Sequence, residues 1–183
     1  NSRKPNSVAL EIISEVKSEF APDHRTAIFN IEIDKNDPML VVGETNLAKA
    51  RDTLLNRFRK GRILYESRIS LLPDSTVGEK SFGLINVSVA NLRSNPRHSA
   101  ELVTQALLGT PINLLKKEGG WYLVQTPDKY IAWTNSGSLV PLAKGELDSW
   151  KKEDKIIYLA AAGFAMQPSG DARVSDLAAG NVL

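Results

Sequence analysis

Residues 112–125 read Ile112-Asn113-Leu114-Leu115-Lys116-Lys117-Glu118-Gly119-Gly120-Trp121-Tyr122-Leu123-Val124-Gln125. Two apolar-rich runs flank Glu118-Gly119-Gly120, the pattern of a β-hairpin whose turn needs glycine at positive φ. The same texture continues outward on both sides. Residues 84–89 are apolar and β-branched, residues 91–96 start a strand that Pro96 breaks, and residues 97–101 are polar. Residues 103–108 read as a strand ending in the turn Gly109-Thr110-Pro111. After Gln125, Thr126-Pro127-Asp128-Lys129 is another turn, and Tyr130-Ile131-Ala132-Trp133 a last strand. About five short strands in roughly 60 residues predict a small closed barrel, since closure hides strand edges.

Upstream, the period changes from two to helical. Ser7 is expected to cap a helix over residues 8–20, with Ala9, Ile12, Ile13, Val16 and Phe20 on one face and Pro22 as its stop. Residues 27–33 alternate Phe29, Ile31 and Ile33 with Asn30 and Glu32, a strand with one buried face. Asp34-Lys35-Asn36-Asp37-Pro38 is a turn; it lacks the glycine and the closing acid of a calcium loop. Residues 39–42 form a second strand closed by Gly43. Asn46 is expected to cap a second helix striped by Leu47, Ala50, Leu54, Leu55 and Phe58, with Gly61 as its C-terminal glycine. Residues 63–71 are a third strand. The order α-β-β-α-β predicts a small open sheet with helices on one face.

Composition narrows the function classes. The 183 residues carry 23 Lys+Arg against 21 Asp+Glu, a formal net charge of +2. That is no basic excess of the kind that holds a phosphate backbone. The cluster Arg57, Arg59, Lys60 and Arg62 has no interleaved aromatics, so it reads as a solvated helix end and not a nucleic-acid surface. There is no cysteine and there are two histidines, which removes disulfides, thiolate metal sites and cysteine nucleophiles. No apolar run approaches the ~18 residues of a transmembrane segment. The opening Asn1-Ser2-Arg3-Lys4-Pro5, without Met, is what a processed or trimmed chain is expected to show.

Downstream, residues 142–153 read as a polar linker and residues 155–159 as a strand candidate. Val174, Ser175 and Gly180 then fall on Val103, Thr104 and Gly109 at a constant offset of roughly 70 residues, the signature of a repeat.

Val89-Ala90-Asn91-Leu92-Arg93-Ser94-x-Pro96, Gly109-Thr110-Pro111, Glu118-Gly119-Gly120-Trp121-Tyr122-Leu123-Val124 and Tyr130-Ile131-Ala132-Trp133 together resemble the bacterial SH3-like module, over residues 83–142. Lys129 and Ala132 stand where that family usually has glycine. An α/β segment followed by this module is similar to the N-terminal part of NlpC-type cell-wall cysteine peptidases of Bacteroides-like bacteria. There the modules precede a catalytic domain that cuts γ-D-glutamyl bonds in murein peptides. The fold expected is therefore an α+β N-terminal domain (residues 1–78), an all-β SH3-like small barrel (79–142), and a linker with the first half of a second SH3-like module (143–183).

The resemblance implies a cell-envelope, periplasmic or secreted protein. Its expected role is a non-catalytic module that recognises murein peptide or shapes the cleft of an adjoining peptidase domain. The alternatives are a stand-alone protein–protein adaptor of the envelope and a hydrolase in its own right. Among the aromatics, Trp133 and Tyr130 are expected in the core. Trp121 and Tyr122 are candidates for a ligand groove; being adjacent, they must face opposite ways. Asn91 and Arg93 lie beside a turn and are candidates to hold a peptide carboxylate, a task that suits a forked guanidinium. His98 has no Ser or Cys partner pattern. No cofactor, metal or nucleic-acid partner is expected.

Overall fold

Apolar residues at three- and four-residue steps bury one face of α1 (Pro5–Phe20): Ala9, Ile13 and Val16 are in the core. The structure is a computed structural model that describes residues 5–37 and 39–183. Two units, Asn1–Asp74 and Ser75–Leu183, divide the chain.

In the first unit, β1 (Phe29–Ile33) pairs antiparallel with β2 (Leu40–Thr45), and β2 pairs parallel with β3 (Glu66–Leu71). The connection from β2 to β3 is α2 (Ala48–Lys60), as a parallel pair requires a crossover. Phe29 and Ile31 alternate inward from β1 while Asn30 and Glu32 are exposed. They meet Val41, Ala50, Leu54 and Phe58 in one core with the α1 residues. Leu54 and Phe58 are fully buried, and each contributes about 1.5–3 kcal/mol by leaving water. Arg57 bridges the helices through Glu15 and Glu19 of α1, which gives part of the basic cluster a structural task.

The helix ends differ from expectation. Ser7 lies inside α1, which starts at Pro5. Asn46 does not cap α2: its Oδ1 accepts from the Ile28 N–H at 2.8 Å, tying the approach to β1 instead. Gly61 is right-handed, and Arg62 takes the left-handed position at φ 53°. In the turn after β1, Asp34 Oδ1 accepts from the N–H groups of Asn36 and Asp37; Pro38 lies outside the described residues.

The second unit is β-rich. β4 (Phe82–Ile85), β5 (Val89–Arg93), β6 (Leu102–Leu107), β7 (Pro111–Glu118), β8 (Trp121–Gln125), β9 (Ile131–Asn135) and β10 (Leu139–Leu142) form one sheet in the order β10-β4-β7-β8-β9-β5-β6. Its concave face buries Ile85, Leu92, Ile112, Leu114, Val124 and Leu139. The strands curl as a small barrel does, but the hydrogen-bond ladder does not close. β10 and β6 remain edges, and β5 meets β9 at a single pair, Arg93 with Trp133. Seven short strands bury their core by curling, and Pro141 sits on the β10 edge, where a missing N–H is tolerated.

The stretch read as a polar linker contains a helix, α3 (Lys144–Lys152), packed beside β10 and β4 through the buried Leu147. Residues 155–159 do not form a strand; they contribute an isolated bridge from Ile157 to Val182. β11 (Ala162–Met166) and β12 (Arg173–Ala178) form a separate hairpin.

That hairpin repeats the β5–β6 ladder. Ala162 faces Ala178 as Val89 faces Leu107, and each ladder slips register at the same place, between Leu92/Arg93 and between Ala165/Met166. The Gly109 N–H donates to Ile85 O at 2.9 Å and the Gly180 N–H to Tyr158 O at 2.8 Å. Ile85 N donates to Thr110 O as Tyr158 N does to Asn181 O. Ser94 N donates to Glu101 O as Gln167 N does to Ala172 O. Both glycines are left-handed, at φ 79° and 90°. The tail thus has the geometry of the first half of the preceding module, with a hairpin loop two residues shorter.

Candidate functional site

Alternation along β8 decides which of its aromatics faces solvent. Tyr122 and Val124 point into the concave core, and Tyr122 is 7% exposed. Trp121 and Leu123 therefore take the convex face. On β9 the inward residues are Ala132 and Thr134, both buried, so Trp133 also lies on the convex face. This corrects the expectation that Trp133 fills the core: its alternation partner Ala132 does so instead. Register completes the row, since Leu123 pairs with Trp133 and Trp133 with Arg93.

The loop of residues 94–101 is fastened to this face at two points. Arg93 Nη1 donates to Ala100 O at 2.7 Å, one of the five N–H donors of its guanidinium. The His98 ring meets Trp121 edge-on, with centroids 4.9 Å apart at 61°, a geometry worth about 0.5–1.5 kcal/mol beyond burial. Asn91 is exposed on β5, where its Oδ1 accepts from Gln105 Nε2 at 2.9 Å. Of the four residues singled out in the sequence, Arg93 and Trp121 thus share the convex face with Trp133 and His98. Asn91 extends it along β5, and Tyr122 backs it from the core, with Lys117 Nζ 5.3 Å from its ring.

The half-buried indoles offer flat apolar surfaces, and Arg93 adds a forked cation beside them. Such a surface can stack on a peptide plane or sugar ring and hold a carboxylate. The chain has no cysteine. His98 and Trp133 were missed as members of this face. The signal for Trp133 was the strand's register, which the sequence left one residue ambiguous.

The electrostatics of α3 are local. The Ala143 N–H, 2.7 Å from Glu146 Oε2, holds that carboxyl below the usual range, with Lys80 assisting. Lys144, four residues before Asp148 and 2.6 Å away, does the same for Asp148. In the first unit the Arg25 side chain lowers Asp23 to about 2, on an exposed turn.

Residues 88–140 match the bacterial SH3 domain family. No curated protein matches the chain. Among solved structures, an NlpC/P60 endopeptidase from Photobacterium damselae subsp. piscicida aligns at 13% identity with a TM-score of 0.49. The alignment covers 99% of this chain and 38% of that enzyme, so the chain spans under two fifths of its length.

Proposed function

From the bacterial SH3 domain at residues 88–140 as premise, we propose that this chain is a non-catalytic binding module of the cell envelope that recognises murein peptide. The observation that carries the reading is the convex face, where Arg93, Trp133, Trp121 and His98 lie on or beside neighbouring strands of that domain. In this reading the indoles stack on the peptide backbone and Arg93 pairs with a stem-peptide carboxylate. The same face, set beside a peptidase domain, would form one wall of its substrate cleft.

Titration of the chain with soluble murein stem peptides, followed by tryptophan fluorescence, tests this. Binding is expected, and Trp121→Ala is expected to weaken it about tenfold, roughly 1.4 kcal/mol, as loss of an aromatic anchor does. The folded state should survive, because Trp121 lies outside the core cluster. Absence of binding to stem peptides, together with no docking on a separately supplied NlpC-type catalytic domain, would overturn the proposal. So would cleavage of the peptides that persists through repeated purification of the chain.

The adaptor reading draws support from a different observation. Ile156, Leu159 and Val174, before and within the β11–β12 hairpin, are 70%, 84% and 64% exposed, and exposed apolar side chains in one segment suit a protein partner. A chain that ignores stem peptides but loses docking on an envelope protein when Leu159 becomes Ser would favour it.

A further inference from the structure

The loop of residues 94–101, between β5 and β6, reaches further than its counterpart in the C-terminal hairpin. The same backbone bond closes both loops, from the Ser94 N–H to Glu101 O and from the Gln167 N–H to Ala172 O. The C-terminal loop turns at once, the Gly170 N–H donating to Gln167 O at 2.8 Å. The loop after β5 is two residues longer and runs out through Asn95 and Pro96 before it turns, where the Ala100 N–H donates to Arg97 O at 3.2 Å. His98 is the first corner residue of that turn. The bond from Arg93 Nη1 to Ala100 O, together with the burial of Ala100, fastens the turn to the module. The longer loop thus carries an exposed imidazole to a set place over the sheet.

That place is the ring of Trp121. β5 and β8 are not neighbours in the sheet, since β9 lies between them, so the contact depends on the reach of the loop and not on strand pairing. The imidazole and indole centroids are 4.9 Å apart, with the rings at 61°. Among the described residues, no hydrogen bond or ion pair holds the imidazole, so this ring contact is its attachment. A flat group in van der Waals contact needs about 3.5–4.0 Å on each side, and a centroid separation of 4.9 Å leaves no such gap. A ligand that stacks on this side of Trp121 must first move His98.

We propose that His98 is a removable cover on Trp121: in the free protein the loop seats the imidazole against the indole, and a flat ligand group displaces it in order to bind. The inference rests on the reading of the convex face as the binding surface and concerns the regulation of that face. An edge-on aromatic contact leaves roughly a tenth to a third of the molecules uncovered, and the apparent affinity falls by that fraction. The cover therefore lowers affinity by about threefold to tenfold. A group too small to replace the imidazole's contact gains nothing by displacing it, so the cover also favours groups that stack over those that merely touch the indole.

The test reads the indole N–H signals of the isotope-labelled full chain, with the neutral nitroxide TEMPOL as a probe of access and a soluble murein stem peptide as ligand. His98→Ala is expected to move the Trp121 signal and at least about double its broadening by TEMPOL, as removal of a cover does, with Trp150 unchanged. Stem-peptide affinity should rise about threefold to tenfold in the same variant. His98→Phe restores a ring and should return both readouts close to those of the unaltered chain. In a Trp121→Ala background, His98→Ala should leave affinity as it is, because there is no longer an indole to uncover. Broadening of Trp121 that ignores His98→Ala would overturn the proposal. A fall in affinity in His98→Ala would overturn it too, since that is the result of an imidazole that grips the ligand. If neither protein binds stem peptides, the murein reading falls, and the TEMPOL comparison then decides the cover on its own: greater broadening of Trp121 upholds it and equal broadening removes it.

Discussion

Gly43→Ala is expected to disrupt the first unit, with a loss of at least about 3 kcal/mol. Gly43 sits in the middle of β2 at φ 138°, opposite Ile31 of β1. A Cβ there would lie 1.9 Å from Asn30 O and 2.8 Å from Ile31 Cα, both backbone atoms. No rotamer relieves that overlap; the β1–β2 ladder itself must open. Strain of a non-glycine residue in this region costs about 1–3 kcal/mol on its own, and losing ladder bonds between buried strands adds to it. The core depends on that ladder, because Phe29, Ile31 and Val41 reach α1 and α2 only while β1 and β2 stay paired. Hydrogen exchange should show protection lost in residues 29–33 and 40–45. Gly78→Ala is the control. Its φ is also positive, at 62°, but nothing lies within 4 Å of the added atom, so it should cost only about 1 kcal/mol. Equal stability of the two variants would show that the close approach at Gly43 carries no weight.

The sequence reported stripes and turns well, and local capping poorly. α1 and α2 were legible because their apolar residues repeat at helical spacing and both helices pack one face on a sheet. Asn46 looked like a cap because Asn before a helix usually is one; here a competing donor, the Ile28 N–H, takes its oxygen. α3 escaped notice because only Leu147 is buried on a helix otherwise made of Lys, Glu, Asp, Ser, Gly and Trp. A single buried residue gives no periodicity to read. Strand number predicts closure of the barrel, but it does not fix whether the last edges meet, and β10 and β6 stay apart. On the convex face, the opposed directions of Trp121 and Tyr122 followed from adjacency alone. Which of the two turns outward, and that Trp133 joins it, depended on cross-strand register.

Asn181→Ala is expected to release the C-terminal hairpin from the module before it. Asn181 is fully buried although polar. Its Oδ1 accepts from the Ala178 N–H at 2.9 Å and its Nδ2 donates to Ser88 O at 2.9 Å, so one amide joins the turn after β12 to the start of β5. Beside it the Val182 N–H donates to Leu108 O at 3.0 Å. Alanine removes both bonds; Ser88 O keeps the Leu108 N–H at 3.2 Å, while the Ala178 N–H loses the Asn181 acceptor, a loss of about 1–3 kcal/mol. Gly109→Ala attacks the same junction from the other side. At φ 79° its Cβ would lie 2.4 Å from Val182 O and 2.8 Å from Val182 Cβ, so Val182 must withdraw. This variant also strains the β6–β7 turn, and Asn181→Ala isolates the docking effect from that strain. Because both changes break one contact, their costs should add to less than their sum. The expected readout is faster exchange and proteolysis over residues 153–183, with Leu92, Leu114 and Val124 still protected in the core they share. If the tail keeps its protection in Asn181→Ala, the buried amide is not what couples the β11–β12 hairpin to the sheet before it. The outcome bears on function, because only a docked tail holds the apolar residues around β11 and β12 in a fixed position relative to the convex face.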